Sequence, residues 1–199
     1  MIFVFDLDDT VCDTDSYSEE YISKFIIENN LPYKKLLKIQ GLLKKIDWDL
    51  DTALNWYKKY GDEMMGKFPC KENALKVINQ LYDSGNRIVI ATARATDWHS
   101  DPENVTKRWL EEVGLKYHKL YIGRVDKEVI CNEENADVFI DDDVDITKRV
   151  ASYFCECGKS TSKTFLMTTG YNKKLRVANG VIRINSFKEF ANNLKEFNI

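Results

Sequence analysis

Met1-Ile2-Phe3-Val4-Phe5-Asp6-Leu7-Asp8-Asp9-Thr10 is the stretch that decides the fold. Ile2–Phe5 is apolar throughout, and acids follow at once at positions 6, 8 and 9. An unbroken apolar run, as opposed to an alternating one, suits a strand buried on both faces, as in a parallel sheet. In an open parallel sheet, ligands bind beyond the carboxyl ends of the strands. This strand therefore delivers carboxylates to the place where such a fold holds its ligand.

Runs of the same kind recur at Arg87–Ala91, 119–122, 138–140 and 164–167. Helical patterns lie between most of them. Over 71–84, Ala74, Val77, Ile78, Leu81 and Tyr82 share one face, and Gly85 stops the helix. Pro102–Val113 buries Val105, Trp109 and Val113 and stops at Gly114; a helix over 143–157 stops at Gly158. The last helix opens on a capping box, Ser186 with Glu189, and carries Phe187, Phe190, Ala191, Leu194 and Phe197. Strand, helix, strand repetition predicts an α/β fold with a parallel sheet and right-handed crossovers.

One stretch breaks this rhythm. Between Thr10 and Lys71 the pattern shows helices and no strand. Ser16 and Glu19 cap a helix with Tyr21, Ile22, Phe25 and Ile26; Pro32 opens a second with Leu36, Ile39, Leu43 and Ile46. A third carries Leu50, Ala53, Leu54 and Tyr57. Residues 13–70 read as a helical insertion, and residues 1–12 with 71–199 as the α/β core. The insertion is rich in aromatic rings. Trp48, flanked by Asp47 and Asp49, sits in the most polar context and is the candidate for an exposed ring that stacks on a substrate. Lys34, Lys35, Lys38, Lys44 and Lys45 form a basic helix face.

Acids also close the fourth strand, at Asp141-Asp142-Asp143, and Thr92-Ala93-Arg94 closes the second. The fold brings Asp6, Asp8 and Asp141 together with Thr92. Clustered carboxylates repel unless a cation holds them. No His or Cys joins them, so the expected ion is hard and oxygen-loving, and Mg²⁺ fits.

These residues carry a resemblance. Asp6-Leu7-Asp8-Asp9-Thr10 resembles the DxDxT first motif of the haloacid dehalogenase-like superfamily. Thr92 resembles its second motif, Lys127 its third-motif lysine, and Val138-Phe139-Ile140-Asp141-Asp142 its acidic fourth motif, all in the family's order. The resemblance implies a Rossmannoid parallel sheet flanked by helices, with residues 13–70 as a small helical C1-type cap. It implies a Mg²⁺-dependent phosphatase in which Asp6 attacks phosphorus and forms an aspartyl-phosphate. Asp8 then protonates the leaving oxygen and activates the water, and its backbone carbonyl joins the metal shell. Thr92 and Lys127 neutralise phosphoryl oxygens, and Asp141 completes the metal shell. Asp142 is either a second ligand or the holder of a metal-bound water.

The downstream half is similar to the 5′(3′)-deoxyribonucleotidase family. The match runs through Thr92-Ala93-Arg94, Val105-Thr106-Lys107-Arg108-Trp109-Leu110, Gly114-Leu115, Asp126-Lys127, Phe139-Ile140-Asp141-Asp142, Phe165-Leu166-Met167 and Tyr171-Asn172. That implies a (deoxy)nucleoside monophosphate as substrate, with Ala93 and Arg94 beside the phosphate. Arg94 reaches phosphate or sugar, or it pairs with the Asp141–Asp145 cluster. His99 lies with Asp97 and Trp98 on the loop after the second strand, at the rim of the site. The rival readings are a polynucleotide 3′-phosphatase, a phosphatase of another small phosphometabolite, and a catalytically silent binding module.

Composition bounds these readings. The 199 residues are 44% hydrophobic and 31% charged with 9 Gly and 3 Pro, which excludes collagen and a mainly disordered chain. Lys+Arg is 29 against Asp+Glu 32, so no stable nucleic-acid partner is expected. Cys12, Cys70, Cys131, Cys155 and Cys157 are odd in number and lack framework spacing, as reduced thiols do. No apolar run is long enough for a membrane span, and the first residues turn acidic too soon for a signal peptide. The expectation is a cytoplasmic enzyme of a small phosphate monoester, with a homodimer left open.

Overall fold

Alternation along each strand sorts the apolar side chains to two faces. Phe3 and Phe5 of β1 (Ile2–Phe5) join one buried cluster and Val4 the other. Ile88 and Ile90 of β2 (Arg87–Ala91) part in the same way from Val89 and Ala91. So do Val138 and Ile140 of β4 (Val138–Asp141) from Phe139. Both faces are apolar, so both must be covered. With β3 (Lys119–Tyr121), β5 (Lys163–Met167) and β6 (Val181–Ile184), these strands form one parallel sheet in the order β3-β2-β1-β4-β5-β6. The computed structural model describes residues 1–31, 48–96, 99–159 and 162–197.

Among the described residues there are seven helices. They are α1 (Thr14–Glu28), α2 (Leu50–Met65), α3 (Ala74–Asp83), α4 (Pro102–Val113), α5 (Lys127–Glu133), α6 (Val144–Glu156) and α7 (Phe187–Glu196). Helices α3, α4 and α7 cover one face through Ile78, Trp109 and Phe190. Helices α5 and α6 cover the other through Ile130, Cys131, Val150 and Phe154. None of these helices is long and apolar enough to cross a membrane.

Within 13–70 the described residues hold α1 and α2 and no strand. The two pack through aromatic rings, Tyr21 on Tyr60 with centroids 5.5 Å apart, and the Tyr21 hydroxyl donates to Glu63 at 3.2 Å. The first cap differs from the expectation. Asp13 caps α1, its carboxylate accepting from Ser16 N at 3.3 Å, so Ser16 lies inside the helix. The helix expected from Pro32 and the lysine face from Lys34 to Lys45 lie outside the described residues. At the other end of the chain, Ser186 caps α7 as expected, while the Glu189 carboxylate takes Asn185 N at 2.8 Å.

Two elements lie outside the sequence expectation. In β6, Arg183 interrupts the apolar run and only Ile184 is fully buried. Helix α5 has seven residues, too few for a helical period to show.

At the amino end of the sheet, Glu134 gathers three donors. Lys119 Nζ and the Tyr121 hydroxyl donate to Oε1, both at 2.7 Å, and Arg87 Nε donates to Oε2 at 3.0 Å. Burial raises the pKa of this carboxylate, but the hydrogen bonds outweigh it and hold it at about 2. A depressed folded-state value gives stability above the unfolded pKa that is lost as pH falls through the folded one. We therefore expect the thermal midpoint to fall between about pH 4.5 and 2. Glu134→Gln should flatten that fall in a melting series across the window; an unchanged slope would refute the assignment.

Candidate active site

Strand order reverses at β1, whose neighbours β2 and β4 lead away on opposite sides, and a crevice opens at the carboxyl ends. Asp6 N donates to Ile140 O at 3.0 Å, so Asp6 leaves the sheet beside the end of β4. One oxygen each of Asp6, Asp141 and Asp142 lies within 4.8 Å of the others. All three residues are at least nine-tenths buried. Asp141 Oδ1 accepts from Asp143 N at 2.8 Å, whereas its Oδ2 is buried with no hydrogen-bond partner.

Burial and mutual repulsion hold the carboxyls of Asp141 and Asp142 far above the ordinary range. Burial also raises Asp6, against the lowering charge of Lys127. An orphaned carboxylate oxygen in such a place is costly unless something cationic meets it. The donor set is all oxygen, so these residues fit a hard divalent cation, and Mg²⁺ above others.

Two buried cations balance the acids in part. Lys127 is the first residue of α5 and fully buried; its Nζ donates to Asp6 Oδ1 at 2.9 Å and also to Ala91 O. Burial lowers its pKa, yet Asp6 and Asp141 raise it further, so it stays charged. Arg94 forms a fork on Asp8, with Nη2 at 2.8 Å from Oδ1 and Nε at 3.0 Å from Oδ2. Its Nη1 donates to Thr106 at 3.2 Å, and Nη2 also meets Cys12 Sγ at 3.6 Å. The rings of Phe68 and Trp109 flank the guanidinium at 5.7 and 5.6 Å. Arg94 therefore pairs with Asp8 and not with the Asp141–Asp145 cluster. Burial raises the Asp8 carboxyl, but the Arg94 charge and hydrogen bonds win and hold it below the ordinary range.

Thr92 extends β2 by one bond, its N donating to Tyr121 O at 2.9 Å, and its hydroxyl reaches Asp8 Oδ2 at 3.4 Å. Ala93 is exposed and lines the cavity. Asp9 adopts the left-handed conformation, φ 55°, which favours glycine. Hydrogen bonds compensate: its carboxylate accepts from Asp15 N at 2.9 Å and its N donates to the Thr14 hydroxyl at 2.8 Å. This turn swings the chain from Asp8 into α1.

These groups form one end of a cavity of about 400 Å³. Trp56, Tyr57, Met64 and Met65 of α2, with Phe68, make an apolar wall across from them. Trp56 Nε1 is buried there without a hydrogen-bond partner. His99 lines the same cavity, its ring 5.8 Å from that of Tyr57 and its Nδ1 3.7 Å from Asp62. Asp97 and Trp98 lie outside the described residues.

Trp48 departs from the expectation of an exposed ring. It packs on Phe25 and Trp56 at 5.2 and 6.3 Å and does not line the cavity. Its acidic neighbours in sequence point to exposure, but Asp49 is the N-cap of α2 and its polarity belongs to that role. Tyr171 lines the cavity, and the residue pattern gave it no role. Its sequence signals are its place in the Tyr171-Asn172 stretch of the family resemblance and just beyond the carboxyl end of β5.

No protein-family model matches the chain, and no curated protein does. Solved structures match its fold over nearly the whole length. A haloacid dehalogenase-like family hydrolase from Streptococcus pneumoniae aligns with TM-score 0.66 at 13% identity, covering 96% of this chain and 97% of that one. CbbY from Rhodobacter sphaeroides, in complex with xylulose-1,5-bisphosphate, gives 0.62 at 12%, covering 94% and 95%. The D,D-heptose 1,7-bisphosphate phosphatase of B. bronchiseptica, complexed with magnesium and phosphate, gives 0.55 at 12%, covering 98% of each chain. The chain thus has the fold of the haloacid dehalogenase-like hydrolases.

Burial makes the Asp141 and Asp142 carboxyls hold protons more tightly than free ones, and a cation competes with those protons. Mg²⁺ affinity should therefore rise with pH. Calorimetric titrations in buffers of different ionisation heat should show proton release on binding. Affinity independent of pH, with no proton released, would contradict the reading of the acid cluster.

Proposed function

We propose that the chain is a Mg²⁺-dependent phosphatase of a small phosphate monoester, working through an aspartyl-phosphate on Asp6. The observation that carries it is the buried group of Asp6, Asp141 and Asp142, with Lys127 bonded to Asp6 at 2.9 Å, in one cavity. Asp6, Asp141 and Asp142 would hold the cation, together with the main chain of Asp8. When bound, Mg²⁺ supplies positive charge to the non-bridging phosphoryl oxygens.

The protein side chains take the following parts. Lys127 keeps Asp6 ionised and adds charge beside the phosphoryl group. Asp6 attacks phosphorus in line with the leaving oxygen. Asp8 carries the proton to that oxygen and later takes one from water. Arg94 acts here as the group that aims Asp8, since its nitrogens are engaged by Asp8, Thr106 and Cys12, and it favours the ionised form that takes a proton from water; that proton is the one Asp8 passes to the leaving oxygen of the next substrate. Thr92 supports Asp8 from the other side through its hydroxyl.

Residues 13–70 act as the cap. Support comes from Thr14, Asp15 and Ser18 of α1 and from the α2 wall, which line the same cavity as the acids. A cavity of about 400 Å³ matches a nucleotide-sized ligand. The apolar wall suits a planar leaving group. We therefore read the substrate as a (deoxy)nucleoside monophosphate, the enzyme as a 5′(3′)-nucleotidase.

The test is Mg²⁺-dependent phosphate release from nucleoside monophosphates, sugar phosphates and a 3′-phosphorylated oligonucleotide. Nucleoside monophosphates should be preferred, and Asp6→Asn should lower kcat by about 10³-fold or more. Hydrolysis confined to sugar phosphates or to the oligonucleotide would overturn the nucleotide reading. Activity retained in Asp6→Asn would overturn the covalent mechanism.

A further inference from the structure

The loop between β5 and β6 ends its course against the acid cluster. Asn172 is fully buried, and its amide donates to Met167 O at the end of β5 and to Asp142 O, both at 2.8 Å. Its Oδ1 accepts from Thr169 N at 3.0 Å and from Arg183 Nη1 at 3.1 Å. Arg183 Nη2 also donates to the main chain at Asn172 O (3.2 Å) and Leu175 O (2.9 Å). The arginine that interrupts the apolar pattern of β6 thus fastens this loop to the sheet. The loop in turn sets Tyr171 beside Asp142. The phenol hydroxyl lies 2.9 Å from Asp142 O and donates to the Asp142 carboxylate at Oδ2.

Asp141 and Asp142 are held differently. Asp141 is fixed by a main-chain donor of its own loop, Asp143 N. The Asp142 carboxylate is held by hydroxyls from two distant loops, Tyr171 on Oδ2 and Thr10 on Oδ1 at 3.4 Å. Left alone, a buried carboxylate beside two others would turn away from them. A fixed donor on its outer side opposes that turn, as the outer partners of metal ligands do.

We propose that Tyr171, braced by Asn172 and Arg183, is a positioning residue that keeps the Asp142 carboxylate facing the cation site of Asp6 and Asp141. The proposal rests on the metal-site reading above, but not on the identity of the substrate. Tyr171 acts through Asp142; it does not itself meet the cation.

Calorimetric titration of the purified chain with MgCl₂, without any substrate, tests it. Tyr171→Phe keeps the ring and removes the hydroxyl. Its Mg²⁺ dissociation constant should rise by about 10-fold or more, with the metal-free thermal midpoint little changed. In a double-mutant cycle, adding Tyr171→Phe to Asp142→Asn should weaken binding no further, because the two changes break one link. Thr10→Val, which removes the other hydroxyl on the same carboxylate, should weaken Mg²⁺ in the same direction and serves if Tyr171→Phe does not fold. Unchanged affinity in the folded variants, or independent additive losses in the cycle, would overturn the proposal. A wild-type chain that binds no Mg²⁺ overturns it together with the metal site. One that binds Mg²⁺ but hydrolyses no phosphate ester leaves it standing and removes the phosphatase reading alone.

Discussion

Repulsion among buried carboxylates is the constraint around which this molecule is arranged. Asp6, Asp141 and Asp142 converge where β1 and β4 end side by side, and Asp8 lines the same cavity. Two buried cations stand against these acids, Lys127 on Asp6 and Arg94 on Asp8. Asp141 is held by a main-chain donor and Asp142 by hydroxyls. A divalent ion there would supply the charge that these neutral donors do not. The difference in partners also accounts for the direction of the shifts: the acids with a cationic partner at hydrogen-bond distance stay nearer the ordinary range, and Asp141 and Asp142 are driven far above it.

Holding such a cluster requires rigid supports, and each support is a structural element with another task. Lys127 projects from the first turn of α5, which also covers one sheet face. Arg94 is lodged between Phe68 and Trp109, and Trp109 Nε1 donates to Phe68 O at 2.9 Å. This ties the end of the helical stretch to the core beside the Arg94–Asp8 pair. Removing Trp109 would therefore loosen Arg94 as well as open a cavity. Arg183 and Asn172 perform the same service for the loop that carries Tyr171.

Much of this was legible in the sequence, for particular reasons. Strands β1 and β2 and helix α4 were readable to the residue because long apolar runs and a Pro-to-Gly frame leave little choice. The acids at the strand ends were readable because parallel sheets place ligands there. Helix α5 and strand β6 were not: one is a short helix and the other is broken by Arg183, whose reason is a contact with Asn172 across the loop. Arg94 and Trp48 show a second limit. Sequence gives proximity to a motif, but partner choice depends on tertiary packing, which set Arg94 on Asp8 and half-buried Trp48 against Phe25. The left-handed turn at Asp9 was hidden too, because an aspartate holds there through its own hydrogen bonds where a glycine would announce it.

The central claim is that Asp6 is the atom-transferring carboxylate of this cluster, with Lys127 beside it. A crystal structure of the wild-type chain with beryllium fluoride and Mg²⁺ tests that most directly, because the fluoride complex mimics a phosphoryl group on a carboxylate. The account predicts a tetrahedral adduct on an Asp6 carboxylate oxygen, with Lys127 Nζ against its fluorines and Mg²⁺ between it and Asp141. An adduct on Asp8 or on any other residue would contradict it.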